Sequence, residues 1–180
     1  MNIFLTGKPG VGKTTVLRRT MDLLYERGIR PGGLFSPEIR ERGRRIGFAI
    51  VDVATQDRGI LAHILQRSGP RIGKYRVNLS DIRDIGARAI DKALETADYV
   101  VCDEIGPMEL FSSDLEEAIK RALKHRKPLL GTIHWRMRHP LIDRIKSDNS
   151  SLILTVTETN RDKLHEVVAE KLIKAMPPPK

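Results

Sequence analysis

The chain has 180 residues, 40% of them hydrophobic, with a formal net charge of +9 and a pI of about 9.9. A lone cysteine, Cys102, excludes an internal disulfide framework, and no apolar run approaches the roughly 18 residues of a membrane span, so no membrane partner is expected. The charge is compatible with a nucleic-acid partner, but this is not favoured, because 23 acidic residues are spread along the chain and no long run of Lys or Arg occurs.

The length suits one domain over residues 1–180, with a loose tail from 175. Aromatics are only 4%, so Ile, Leu and Val must fill the core. No leader is expected ahead of the first motif; a cytoplasmic location fits, and the chain is compatible with a monomer. Few Asn and Gln with 31% charged residues suit a thermophile.

In chain order, Asn2 to Leu5 reads as a strand and Thr15 to Arg27 as a helix with Leu17, Met21 and Leu24 on one face. Between them lies Gly7-Lys8-Pro9-Gly10-Val11-Gly12-Lys13-Thr14, the P-loop spacing, followed by Thr15. Glycines let the backbone curl its N–H groups around phosphate oxygens, and the following helix adds its positive end. Lys13 can reach β- and γ-phosphates, and the Thr14 hydroxyl can bind Mg²⁺. Two readings of Lys8 stand side by side: contact with a γ-phosphate, and solvation.

Gly28 ends the helix, and Pro31-Gly32-Gly33 reads as a turn. Leu34 to Ile39 and Arg45 to Val53 read as two strands about the tight turn Glu41-Arg42-Gly43-Arg44, an antiparallel addition at one edge of a parallel sheet. Leu61 to Leu65 suggests a short helical turn, and Ile72 to Leu79 a strand or an extended segment. Asp81 to Thr96 is a helix with Ile82, Ile85, Ala89, Ile90 and Ala93 inward.

Asp98 to Cys102 is a buried parallel strand with Asp103-Glu104 at its end. In P-loop enzymes a carboxylate here helps hold Mg²⁺, and a neighbouring Glu can activate the attacking water. Cys102, one step earlier on a buried strand, is a packing residue. Ser113-Asp114-Leu115-Glu116 is a capping-box pattern for a helix to His125. Pro128 to Ile133 and Leu152 to Val156 are strands, with a short helix from His139 to Ile145 between them. A last helix starts at Thr159-Asn160-Arg161-Asp162 and turns Leu164, Val168 and Leu172 inward. Asn160 and Arg161 follow the last strand, where P-loop folds hold the base; helix capping by Asn160 is the alternative.

These motifs together resemble one family. The P-loop, the run Asp103-Glu104-Ile105-Gly106-Pro107-Met108-Glu109-Leu110, Gly131-Thr132, and Thr157 to Arg161 are similar to the small P-loop nucleoside-triphosphatases of thermophiles. The cancer-related nucleoside-triphosphatase of animals belongs to that family. The hairpin Arg44-Arg45-Ile46-Gly47-Phe48 matches too, and the likeness covers essentially the whole chain. It implies a RecA-like, mostly parallel α/β sheet flanked by helices, with added antiparallel strands. It also implies Mg²⁺-dependent hydrolysis of nucleoside triphosphates with little base discrimination. His134 to His139 finds no ready match in the family pattern.

Several residues carry two readings. Glu109 is either a partner for Arg or Lys or a helix-entry or surface residue. His134 is either a γ-phosphate sensor or a bystander, and Trp135 either stacks on a base or is simply exposed. Arg44, Arg45, Arg136 and Arg138 are candidate charge-stabilising arginines. Beside the hydrolase stand two other functions: a nucleoside or nucleotide kinase, and a nucleotide-gated nucleic-acid-binding protein.

Overall fold

The apolar runs at the two ends of the chain and around Cys102 pair into one sheet. The computed structural model describes residues 1–177, so the end of the proposed tail lies outside the described residues. Strands β1 (Asn2–Thr6), β2 (Pro31–Phe35), β8 (Tyr99–Ile105), β9 (Leu129–Ile133) and β10 (Ser151–Thr155) are mutually parallel, in the order β10-β1-β9-β8-β2. One strand, β9, separates the P-loop strand from the carboxylate strand, which is the expected RecA-like arrangement. Alternation along these strands feeds two cores. Ile3, Leu5, Tyr99 and Val101 face helices α1 (Lys13–Glu26) and α6 (Leu164–Ala175). Phe4, Val100 and Cys102 face α3 (Arg88–Thr96), α4 (Ser113–Lys124) and α5 (Pro140–Ser147) on the other side.

The antiparallel addition is larger than one hairpin. Beyond β2 come β4 (Arg44–Asp52), β5 (Arg58–His63), β7 (Tyr75–Val77) and β6 (Arg71–Ile72), with β3 (Glu38–Glu41) paired to β4. The β3–β4 turn is tight as expected, with Arg42 at φ 47° and Gly43 at φ 76°.

Four local expectations need correction. Pro31-Gly32-Gly33 is not a turn; it opens β2. Its glycines serve close packing: a Cβ on Gly32 would sit 2.8 Å from Ala93 Cβ, and one on Gly33 would collide with the Val101 carbonyl. Leu61 to Leu65 is not a helical turn, because residues 58–63 pair with β4 as a strand. From Ile72 the strand alternative holds, as a hairpin of β6 and β7. The cap of α4 is Ser112 rather than Ser113: Ser112 Oγ accepts from the Leu115 N–H at 3.3 Å. The helix expected from Asp81 begins slightly earlier, at α2 (Leu79–Asp81), and passes through a π-helical stretch, Ile82–Ala87, into α3.

Candidate active site

The parallel order brings four segments to one rim, at the C-terminal ends of the strands. These are the P-loop after β1, Asp103-Glu104 on β8, His134-Trp135 after β9, and Thr155 to Arg161 at the end of β10. Doubly wound sheets place ligands at that rim. Gly10 (φ 76°) and Gly12 (φ 109°) supply the positive φ angles that curl the loop. Gly12 also caps α1 at its N-terminus, leaving that end's N–H groups facing the loop.

The P-loop and the carboxylates meet directly. Thr14 Oγ1 donates to Asp103 Oδ2 at 3.1 Å, and Thr132 Oγ1 donates to Asp103 Oδ1 at 2.6 Å. Lys13 Nζ donates to the Gly7 carbonyl at 3.3 Å and stands 3.8 Å from Glu104 Oε1. Both carboxylates of the pair thus face the site, one toward the hydroxyls and one toward the ammonium. Asp103 is 3% exposed. Burial pushes its pKa up to about 6, against the opposing hydrogen bonds from Thr132 and Thr14. Burial also raises Glu104, with Lys13 opposing. Glu104 Oε1 is buried and has no hydrogen-bond partner.

Glu109 is 5% exposed, so the surface reading fails, and among the described residues it has no Arg or Lys ion-pair partner. Burial first, then the Glu104 and Asp103 charges, push its pKa up to about 8. Burial and the two neighbouring carboxylates therefore favour the protonated carboxyl in the folded chain. An acid raised in this way stabilises the fold fully below its unfolded pKa, and that contribution is lost as pH rises through about 8. Glu109→Gln, neutral at every pH, is expected to raise Tm relative to the parent at pH 9 and to leave it unchanged at pH 5. Equal Tm differences at both pH values in calorimetry would remove the buried-acid account.

Two cavities flank the loop, with Pro9, Gly10 and Trp135 shared between them. The outer one, ≈ 500 Å³, is lined by Lys8, Val11, Thr157, Thr159 and Arg161 among others. Lys8 is exposed on this side and does not line the Lys13 cavity. Asn160 is spent on the turn: its amide donates to the Thr155 carbonyl at 2.9 Å and accepts from the Thr157 N–H at 2.9 Å. It does not cap α6, whose N-cap is Lys163. Thr15 is exposed in the first turn of α1.

The inner cavity, ≈ 350 Å³, joins Lys13, Thr14, Asp103 and Glu104 to the antiparallel strands. Sequence reasoning singled out Glu109 and His134, which stand beside the carboxylates, but assigned no site role to Ser36, Glu38, Phe48, Leu61 and Ile72 on the far wall. Nothing local in the sequence marks these positions, because the fold of the β2–β3 loop and the pairing of β3 to β7 bring them to the P-loop. Of the four candidate arginines only Arg45 lines it. Its guanidinium donates to Glu38 Oε1 at 2.8 Å and to the Tyr75 hydroxyl at 3.1 Å, and lies 5.1 Å from the Phe48 ring centre. His134 Nδ1 accepts from the Met137 N–H at 3.1 Å, and burial and Lys13 hold its pKa low. Cys102 is fully buried, as a packing residue should be.

The comparisons agree with this geometry. A family model described as NTPase matches residues 2–169. The nucleoside-triphosphatase THEP1 of Methanosarcina acetivorans is 45% identical over 98% of this chain and 99% of that relative. The Methanopyrus kandleri THEP1 is 40% identical over 96% of this chain and 95% of its own length. Among solved structures, THEP1 from the hyperthermophile Aquifex aeolicus superposes with a TM-score of 0.83 at 28% identity, covering 96% of this chain and 99% of that one. A human cancer-related nucleoside triphosphatase superposes with a TM-score of 0.81 at 31% identity, covering 96% and 97%. With the P-loop, the paired carboxylates and the strand order all in place, the chain belongs to the THEP1 nucleoside-triphosphatase family.

Proposed function

We propose that the chain hydrolyses nucleoside 5′-triphosphates to diphosphate and phosphate, with Mg²⁺ and with little discrimination among bases. The observation that carries this is the meeting of Lys13 with Glu104 and of Thr14 with Asp103 across one rim. In this reading the loop N–H groups and Lys13 hold the β- and γ-phosphates. The Thr14 hydroxyl and Asp103 carboxylate are the hard oxygen donors that suit Mg²⁺, and Thr132 fixes the orientation of Asp103. Among the described residues no group of three His, Cys, Asp or Glu side chains forms a metal cage. Mg²⁺ does not need one, since it is usually held by one or two carboxylates plus water and substrate phosphates. When bound, it would neutralise charge on the transferring phosphoryl group.

Glu104 takes the proton of the attacking water; its Oε1, 3.8 Å from Lys13 Nζ, makes no hydrogen bond and is the acceptor. The outer cavity takes the nucleoside, beside Trp135 and Arg161. Its polar groups are largely self-satisfied: the Thr157 and Thr159 hydroxyls bond each other at 3.0 Å, and the Asn160 amide is bound to backbone. Such a site reads a flat ring more than a base edge.

ATP and GTP are therefore expected to be hydrolysed within roughly tenfold of each other, a gap of about 1.4 kcal/mol. Phosphate release from ATP, GTP, CTP and UTP, each with Mg²⁺ and with excess EDTA, checks both parts. A thousandfold preference would demand a dedicated base site, and full activity in EDTA would remove Mg²⁺ from the reaction.

A further inference from the structure

His134 enters the rim from the strand that separates the two halves of the site. In the sheet β9 lies between β1, which leads into the P-loop, and β8, which carries Asp103 and Glu104. The end of β9 is tied to both neighbours. On the β1 side, Thr6 Oγ1 donates to the Ile133 carbonyl at 3.3 Å. On the β8 side, Thr132 Oγ1 donates to Asp103 Oδ1 at 2.6 Å, and the His134 N–H donates to the Ile105 carbonyl at 3.2 Å. Residue 134 is therefore fixed where the two halves meet, and it lines the inner cavity together with Lys13, Thr14, Asp103 and Glu104.

The imidazole is held as well. Nδ1 accepts from the Met137 N–H at 3.1 Å and from the Arg136 N–H at 3.4 Å. A ring nitrogen that accepts from N–H groups carries no proton, so the ring is the neutral tautomer with its proton on Nε2. Burial, Lys13 and Lys146 all favour that neutral form. Nε2 has no hydrogen-bond partner among the described residues, and it is not one of their buried orphans. It is an accessible donor on a half-buried side chain that faces the phosphate site. Local capping alone does not account for this placement. His63, His125 and His139 each accept a nearby backbone N–H at Nδ1 in the same way, and none of them lines either cavity of the rim. A neutral N–H beside Lys13 adds a dipole aimed at phosphate without bringing a second full positive charge next to the ammonium.

We propose that His134 is a catalytic residue whose Nε2–H donates to a γ-phosphate oxygen of the bound nucleoside triphosphate. The proposal deepens the reading of the P-loop site given above and rests on it. Lys13 and the loop hold the γ-phosphoryl group from the β1 side, and His134 holds it from β9. With the group fixed at two points, its phosphorus is kept in line with the water beside Glu104. A nucleoside diphosphate has no oxygen at that place, so the same bond separates substrate from product.

Two near-isosteric variants of the full-length protein separate this role from loop capping. His134→Asn puts an amide oxygen close to the place of Nδ1, so it keeps the cap and loses the Nε2 donor. His134→Gln puts an amide NH₂ close to the place of Nε2, so it keeps the donor and loses the cap. With ATP and Mg²⁺, kcat is expected to fall at least about tenfold in His134→Asn, the lower end of what losing one preorganised donor does, and to stay within about threefold of the parent in His134→Gln. Calorimetric titration adds a second readout. The affinity of His134→Asn for an ATP analogue with a non-hydrolysable β–γ imido bridge should fall at least about fivefold, with ADP affinity within about twofold of the parent. The Tm of each variant reports on the cap. The reverse order of rates, Asn like the parent and Gln impaired, assigns His134 to the loop and overturns the proposal. Parent-like rates and affinities in both variants overturn it as well, and so does an equal loss of analogue and ADP affinity in His134→Asn. Failure of the parent to release phosphate overturns the hydrolase reading, and the analogue-against-ADP comparison still decides whether His134 meets the γ-phosphate.

Discussion

Lys13→Ala is expected to lower phosphate release by at least about 10²-fold, the scale of losing one preorganised charge at a phosphoryl transition state. Lys13 is held by the Gly7 carbonyl at 3.3 Å and by the nearby Glu104 carboxylate, so its ammonium is already aimed along the loop. Preorganisation of this kind is where catalytic charge is effective, because little reorganisation accompanies the reaction. Removing the ammonium also leaves Glu104 buried without its nearest cation, and burial then raises its pKa further. The variant therefore loses both the phosphate clamp and part of the base. The fold should survive, since Lys13 lies outside both apolar clusters. Circular dichroism and Tm close to the parent, with phosphate release near the detection limit, is the expected pair of results. Near-normal turnover would mean that the loop is not catalytic.

Much of this site was legible before any coordinates. The P-loop spacing carries its own geometry, because its glycines can take the positive φ seen at 10 and 12, although the helix begins at Lys13, two residues before the Thr15 expected. The parallel strands were legible too, since a strand buried on both faces is a short continuous apolar run such as Tyr99 to Cys102. The antiparallel addition was not. Arg58 to His63 contains Gly59, Ile60, Leu61 and Ala62, a run that periodicity assigns equally to helix or strand. Pairing with β4 decides it, and that pairing is tertiary. Gly32 and Gly33 misled for a related reason: paired glycines mark turns locally, but here they admit Ala93 and the Val101 carbonyl. The inner cavity inherits this illegibility, because its far wall is gathered from a loop and several strands that only the sheet pairing brings to the P-loop. Thr132 was legible only as part of a resemblance; its hydrogen bond to Asp103 needs β8 and β9 side by side.

Glu104→Gln and Asp103→Asn are expected to fail in different ways. The two carboxylates sit on consecutive residues but answer to different partners, Asp103 to the Thr14 and Thr132 hydroxyls and Glu104 to Lys13. Glu104→Gln keeps the size and polarity of the side chain and loses only its capacity to take a proton. Nucleotide and Mg²⁺ affinity should hold within about threefold while single-turnover hydrolysis falls by roughly 10² to 10⁴, the contribution of a positioned general base. Asp103→Asn replaces a charged oxygen ligand by a neutral amide, a poorer donor for a hard cation. The Mg²⁺ concentration for half-maximal rate should rise by about tenfold or more, and saturating Mg²⁺ should recover part of the rate. The amide keeps an acceptor oxygen for one of the two hydroxyls, while its NH₂ group meets the other, so some local rearrangement accompanies the change. Mg²⁺ titrations and single-turnover rates measured on both variants separate the two roles. Unchanged single-turnover hydrolysis in Glu104→Gln would show that Glu104 is not the group that takes the proton.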